Sequence, residues 1–180
     1  MQSNTNFAKI IHLNFVKEVN KLSKEDVILI LSNFKYVVVN IKKDEQLKFI
    51  NEFFLYIKNK YNKDKDVKTE MKKLFQNVSK DYFFENIIVN TIHSKNISNF
   101  FNIVNTFQYF SYGLNMFFIT NNLLNNKKQN KDTVQVLKAI AKNYKNTELA
   151  DEILDELLKI EKEKEIEQAK RPSPAFSRHL

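Results

Sequence analysis

Between Met1 and Arg171 there is no proline, and the chain of 180 residues holds a single glycine, Gly113. Both prolines, Pro172 and Pro174, fall in the last nine residues. Proline locks φ and removes a donor, whereas glycine reaches positive φ without strain; together they punctuate most folds. A chain nearly without them can sustain a 3.6-residue repeat over long stretches. The expectation is an all-α fold, a compact bundle of about seven to eight helices.

The same shortage removes chemistry. Phosphate-cradling loops, dinucleotide turns and nucleophile elbows depend on glycine for tight turns and close backbone approach. The absence of cysteine excludes disulfides, zinc-thiolate sites and thiol nucleophiles. His12, His93 and His179 stand far apart, outside the spacings that put metal ligands on one helix face. Asp151 with Asp155, and Glu152 with Glu156, share helix faces, but no second cluster completes a cation shell, so a solvated acidic face is expected. No catalytic, cofactor or metal site is predicted, and the chain is expected to be non-enzymatic.

The formal charge is +8, from 29 basic and 21 acidic residues. Such a balance suggests nucleic acid as a partner. Only two of the cations are arginines, Arg171 and Arg178, and there are 24 asparagines, the bias an AT-rich coding sequence produces. Nucleic-acid readers usually spend arginine, whose planar fork grips phosphate and guanine. Charge is also uneven: residues 1–145 carry +11 and residues 146–180 carry −3.

Helical periodicity runs along the chain. Phe7, Ile10, Ile11, Phe15, Val19 and Leu22 form a first stripe. Ser23-x-x-Asp26 reads as a capping box ahead of Val27, Ile30, Leu31, Phe34, Val37, Val38 and Ile41. The β-branched run Tyr36–Ile41 is kept helical because the period continues through it and no turn residues bound it. A third stripe follows Asp44 (Leu47, Ile50, Phe54, Ile57, Tyr61). A fourth uses Val67, Met71, Leu74, Phe75 and Val78, and Asp81 is expected to cap a fifth with Phe84, Ile87, Ile88 and Ile92 inward.

Ile97 to Ile119 is apolar nearly all round and is predicted to be the central, buried helix. Asn99, Asn102, Asn105, Gln108 and Asn115 interrupt it, too many amides for a membrane span. They are expected to bond neighbouring helices, with a polar ligand groove or an oligomer seam as the alternative. Gly113 is expected to mark a close helix–helix approach, the alternative being a kink or break near it that gives two shorter helices.

Around this glycine, Phe110-Ser111-Tyr112-Gly113 resembles the end of the BH1 motif of Bcl-2-like apoptosis regulators, which are all-helical and often of this size. The resemblance implies a helical regulator. It covers four residues; the family's upstream Asn-Trp-Gly-Arg falls on Asn102-Ile103-Val104-Asn105, where the asparagine alone matches, and the arginine that would pair with a BH3 aspartate is missing.

Thr120 to Lys131 is polar and linker-like. Asp132 or Thr133 starts a helix carrying Val134, Leu137, Ile140, Ala141 and Tyr144. Thr147 opens the last helix, with acids early and lysines late, as the helix dipole favours. Leu149, Ile153, Leu157 and Ile160 make one stripe, with Leu154 and Leu158 beside it. Glu161 to Lys170 has little to bury and is expected to project or lie on a partner. The resulting organisation is a helical body over residues 1–124, a linker over 125–131, a helical pair over 132–170 and an extended or disordered tail over 171–180.

The first six residues lack the layout of a secretory signal, predicting an intracellular, cytoplasmic protein. The triplets at Asn77 and Asn96 then read as chance glycosylation matches. The function expected is helical protein–protein interaction, as an adaptor, assembly factor or structural subunit docking through the acidic C-terminal helix and tail. Leu149, Ile153, Leu157, Ile160, Phe176 and Leu180 are the candidate partner-binding residues. The alternative is nucleic-acid binding by the lysine-rich body; a second copy of the chain is a further candidate partner.

Overall fold

The computed structural model describes residues 18–126 and 130–171, and among these it contains nine α-helices and no strand. They are α1 (Lys24–Ser32), α2 (Phe34–Val39), α3 (Gln46–Lys60), α4 (Lys65–Val78), α5 (Phe83–Thr91), α6 (Ile97–Tyr109), α7 (Met116–Leu124), α8 (Lys131–Asn143) and α9 (Glu148–Lys170). Single 3-10 turns lie at Val19–Lys21 and Lys43–Glu45. The chain forms two compact units, one ending at Ile119 and the other beginning at Thr120. The first-stripe residues Phe7 to Phe15 and the tail from Pro172 onward lie outside the described residues.

Side chains start the helices where the sequence offers them. Ser23 Oγ accepts from the Asp26 N–H and Asp26 reaches back to the Ser23 N–H, so the capping box is formed. Asp64 caps α4 by accepting from Asp66 and Val67. Asn130 caps α8, one turn earlier than Thr133, whose N–H its Oδ1 accepts at 2.8 Å. Thr147 caps α9. The run from Tyr36 is helical, but Asn33 separates α1 from α2 and the helix stops at Val39. Gln46 then donates to the carbonyls of Val38 and Ile41, closing the end of α2 onto the start of α3. Asp81 does not cap α5: Tyr82, at φ 53°, occupies the cap position, and Asp81 instead pairs with Lys35.

The core of the first unit is phenylalanine built around α3. This helix buries Leu47, Phe49, Ile50, Asn51, Phe53, Phe54 and Ile57, and packs most extensively on α6. Phe54 is the junction: its ring lies 4.9 Å from Phe107, 5.3 Å from Phe34, 5.4 Å from Phe53, 5.9 Å from Phe75 and 6.0 Å from Phe84. Such pairs contribute about 0.5–1.5 kcal/mol each beyond the area they bury. Tyr56 ties the entry to this core by donating to the Leu22 carbonyl at 2.7 Å. Lys24 spans the starts of α1 and α4, 2.8 Å from Asp66 and 3.0 Å from Asp64.

The segment expected to be the central helix is two helices, and α3 takes the central place. α6 is amphipathic: Phe100, Ile103, Val104, Thr106 and Phe107 are buried while Asn102, Asn105 and Gln108 are exposed. The amides that looked like interruptions are its solvent face. Asn99 alone of the set reaches another helix, accepting from Asn51 at 3.3 Å, and Asn115 caps α7 by accepting from the Phe118 N–H. The break near Gly113, the alternative expectation, is what forms: residues 110–115 are non-helical with Gly113 among them, and the helix stop itself is at Ser111. With Phe110 as the C-cap, the Tyr112 N–H bonds the Phe107 carbonyl at 2.8 Å and the Ser111 N–H bonds the Gln108 carbonyl at 2.9 Å. Ser111 sits at φ 60° between them. This is a Schellman stop with serine in the left-handed position glycine usually holds. Gly113 is not at a positive φ, and a Cβ built on it meets nothing within 4 Å, so it marks no close approach.

In the second unit, α8 packs on α9. Val136, Leu137, Ile140 and Ala141 are buried from one helix, and Leu149, Ala150, Ile153 and Leu157 from the other. Asn146, at φ 64°, makes the turn between them, a conformation asparagine tolerates better than most residues. From Glu161 to Lys170 every residue is exposed. Among the described residues no helix is long and apolar enough to cross a membrane.

Candidate binding surfaces

The two stripes of α9 divide its work. Leu149 at 5%, Ile153 at 0% and Leu157 at 4% exposure belong to the core of the second unit, and Ile160 is half-buried. These four are the α9 members of the six candidate docking residues. The most regular stripe of an amphipathic helix is the one its own neighbour takes first. The apolar side chains left open are Leu154, Leu158 and Ile166, the last two each 54% exposed. Leu154 and Leu158 lie one turn apart, flanked by the exposed carboxylates of Asp151 and Asp155. Glu156 engages Lys159 at 2.9 Å. Phe176 and Leu180 lie outside the described residues.

A second surface belongs to the first unit. Lys68, Lys72, Phe75 and Gln76 of α4 with the buried Met71 beneath them, Ser79 just after the helix, the stop after α6 (Tyr109–Tyr112) and Asn62 line a groove of about 630 Å³. Its wall is fixed by stacking: Tyr112 lies on Phe75 and meets the edge of Phe107 at 5.7 Å. Asn62 donates to the Tyr109 hydroxyl at 3.2 Å, and the Lys58 ammonium stands 4.7 Å over the Tyr109 ring. Burial pushes the Tyr112 hydroxyl up to about 12, with Glu85 and Asp81 adding to the shift, so the phenol stays protonated through the physiological range. Glu85 is itself buried; one carboxylate oxygen accepts from the Asn115 N–H at 3.2 Å, and the other has no hydrogen-bond partner among the described residues.

Comparison of the chain with protein-family models, curated proteins and solved structures found no match. The function of these surfaces therefore rests on their own chemistry.

His93 serves a turn: its Nδ1 accepts from the Lys95 N–H and its own N–H donates to Asn96. His12 and His179 lie outside the described residues. The residues resembling the end of BH1 are the Schellman stop itself, and three of them, Phe110, Ser111 and Tyr112, line the groove. The groove was not anticipated from sequence. Its signal is weak: Lys68, Lys72 and Gln76 at successive i, i+4 positions read as an ordinary wet helix face, and Phe75 as core.

Proposed function

We propose that this chain is a helical protein–protein interaction protein, an adaptor, assembly factor or structural subunit, that docks through the outward face of α9. One observation carries the reading: α9 already spends a full apolar stripe on α8, yet holds Leu154 and Leu158 open on consecutive turns beside Asp151 and Asp155. Burying one leucine side chain is worth about 1.5–3 kcal/mol, so the pair offers a partner a compact anchor. The flanking carboxylates favour a partner whose apolar pocket has a basic rim. The expected cytoplasmic location makes a cytosolic extract the place to seek it.

The test is affinity purification from the native source with the full chain and with L154E/L158E. The reading predicts a partner enriched on the wild type and lost from the variant, with the thermal midpoint of the variant unchanged. Identical partners on both proteins contradict it.

A further inference from the structure

The groove of the first unit carries a chemistry different from that of α9, and the inference drawn from it stands independently of the docking reading. Its volume of about 630 Å³ falls in the range of about 300–1,000 Å³ typical of ligand sites. Among the described residues its charged lining side chains are Lys68 and Lys72, one helical turn apart, with no carboxylate. Three other cavities each include an acid: Asp81 in one, Glu70 in another, and Glu152, Asp155 and Glu156 in the third. Positive charge continues past the rim, with Lys58 over Tyr109 and Lys60 5.6 Å from the rings of both Tyr56 and Tyr61. Asp64, which caps α4, and Asp66, in its first turn, are engaged by Lys24. The lining itself therefore favours an anion at its lysine side, while Glu85 and Asp81 act on the Tyr112 side.

The rest of the lining narrows the class. Tyr109 is half exposed, and Phe75 and Phe110 are half-buried, so flat rings border the lysines. Asn62, Gln76, Ser79 and Ser111 add amides and hydroxyls that both donate and accept. Asn62 and Ser79 already donate to the Tyr109 hydroxyl and the Gln76 carbonyl. An acidic helix with a leucine anchor would satisfy the lysines while setting the Gln76 amide and the Ser111 hydroxyl against hydrocarbon, at the cost of leaving them unpaired. A nucleotide answers all three features: phosphate for lysine, a π-face for the rings and a hydrogen-bonding edge for the amides. Base pairs in a duplex keep their faces stacked and out of reach.

We propose that the groove between α4 and the Tyr109–Tyr112 stop binds single-stranded nucleic acid, stacking a base on its aromatic wall and holding the backbone with Lys68 and Lys72. The stacked Phe75–Tyr112 pair and the Schellman stop hold the wall in place before binding. With lysine rather than arginine at the rim, contact is to backbone and base face, and sequence preference is slight.

Fluorescence anisotropy of the full-length protein with labelled oligo(U) and oligo(dT) of about 12 nucleotides tests this, at about 50 mM and about 200 mM salt. Binding of either strand supports the proposal, and the stronger arm identifies RNA or DNA as the source. Y109A is expected to weaken binding about tenfold. K68E/K72E is expected to weaken binding and lower the salt slope by about two. K138E/K142E on α8 is expected to leave binding unchanged, and thermal midpoints verify that all variants fold. The proposal is overturned by no binding of either strand at the lower salt, by an equal affinity for the same sequence as duplex, or by an equal loss in K138E/K142E. Displacement of the strand by a leucine-containing polyglutamate peptide at lower concentration than by unlabelled oligonucleotide also overturns it.

Discussion

Tyr112 lies flat on Phe75, ring centroids 4.5 Å apart and planes 12° from parallel. The stack joins the stop of α6 to the outward face of α4, so the element that ends one helix also builds the wall of the groove. What the sequence spends on stopping α6 without a glycine becomes testable at the residue just before Tyr112.

Ser111 holds the left-handed position of the Schellman stop at φ 60°, where a side chain costs about 1–2 kcal/mol relative to glycine. S111G is expected to raise stability by about 1 kcal/mol, and S111V to lower it, because a β-branched residue resists this region most. Urea denaturation midpoints at unchanged m-value check both.

Gly113 has neither a positive φ nor a neighbour for an added Cβ to strike. G113A is therefore expected to be neutral or to stabilise by about 0.4–1 kcal/mol through the unfolded chain. A loss of more than about 1 kcal/mol in the same denaturation assay would mean that this position needs glycine after all.

The Tyr112 phenol ionises near 10 when unperturbed and near 12 in the folded chain, first because of burial. Across that interval the folded state holds the proton that the unfolded state has released. Its contribution is complete below pH 10 and is lost as pH rises toward 12. The stability difference between wild type and Y112F should shrink between about pH 10 and about pH 12, measured by urea denaturation at each pH. A difference that is constant or grows contradicts the burial argument.

The two faces of α9 should respond oppositely to mutation. I153A empties a fully buried position and is expected to cost about 2–5 kcal/mol. L154E/L158E alters exposed positions and should stay within about 0.5 kcal/mol per site. Thermal melts of the full chain separate the two.

The local signals that the sequence states outright were legible. The Ser23–Asp26 box and the Thr147 cap formed as read; the β-branched run after Tyr36 is helical only as far as Val39, and Asn33 breaks the continuous helix that the apolar period suggested. The division of Ile97–Ile119 was legible only as the alternative reading, a break near Gly113, because the stop itself uses serine in the glycine place, two residues before the chain's glycine. The central role of α3 was hidden by reading the amides of α6 as flaws in an apolar helix rather than as its wet side. Periodicity found both stripes of α9, but it cannot say which stripe a neighbour covers; that depends on α8. The groove depends on a stop and a helix face more than 30 residues apart, a separation that no local pattern spans.

Site-specific photo-crosslinking in native extract tests the docking face most directly, with a benzophenone side chain placed in turn at residues 154, 158 and 166 and, as a control, at the exposed Lys138. The account predicts one common adduct from the three α9 positions and none from the control. No adduct from α9, or the same adducts from all four positions, would contradict it.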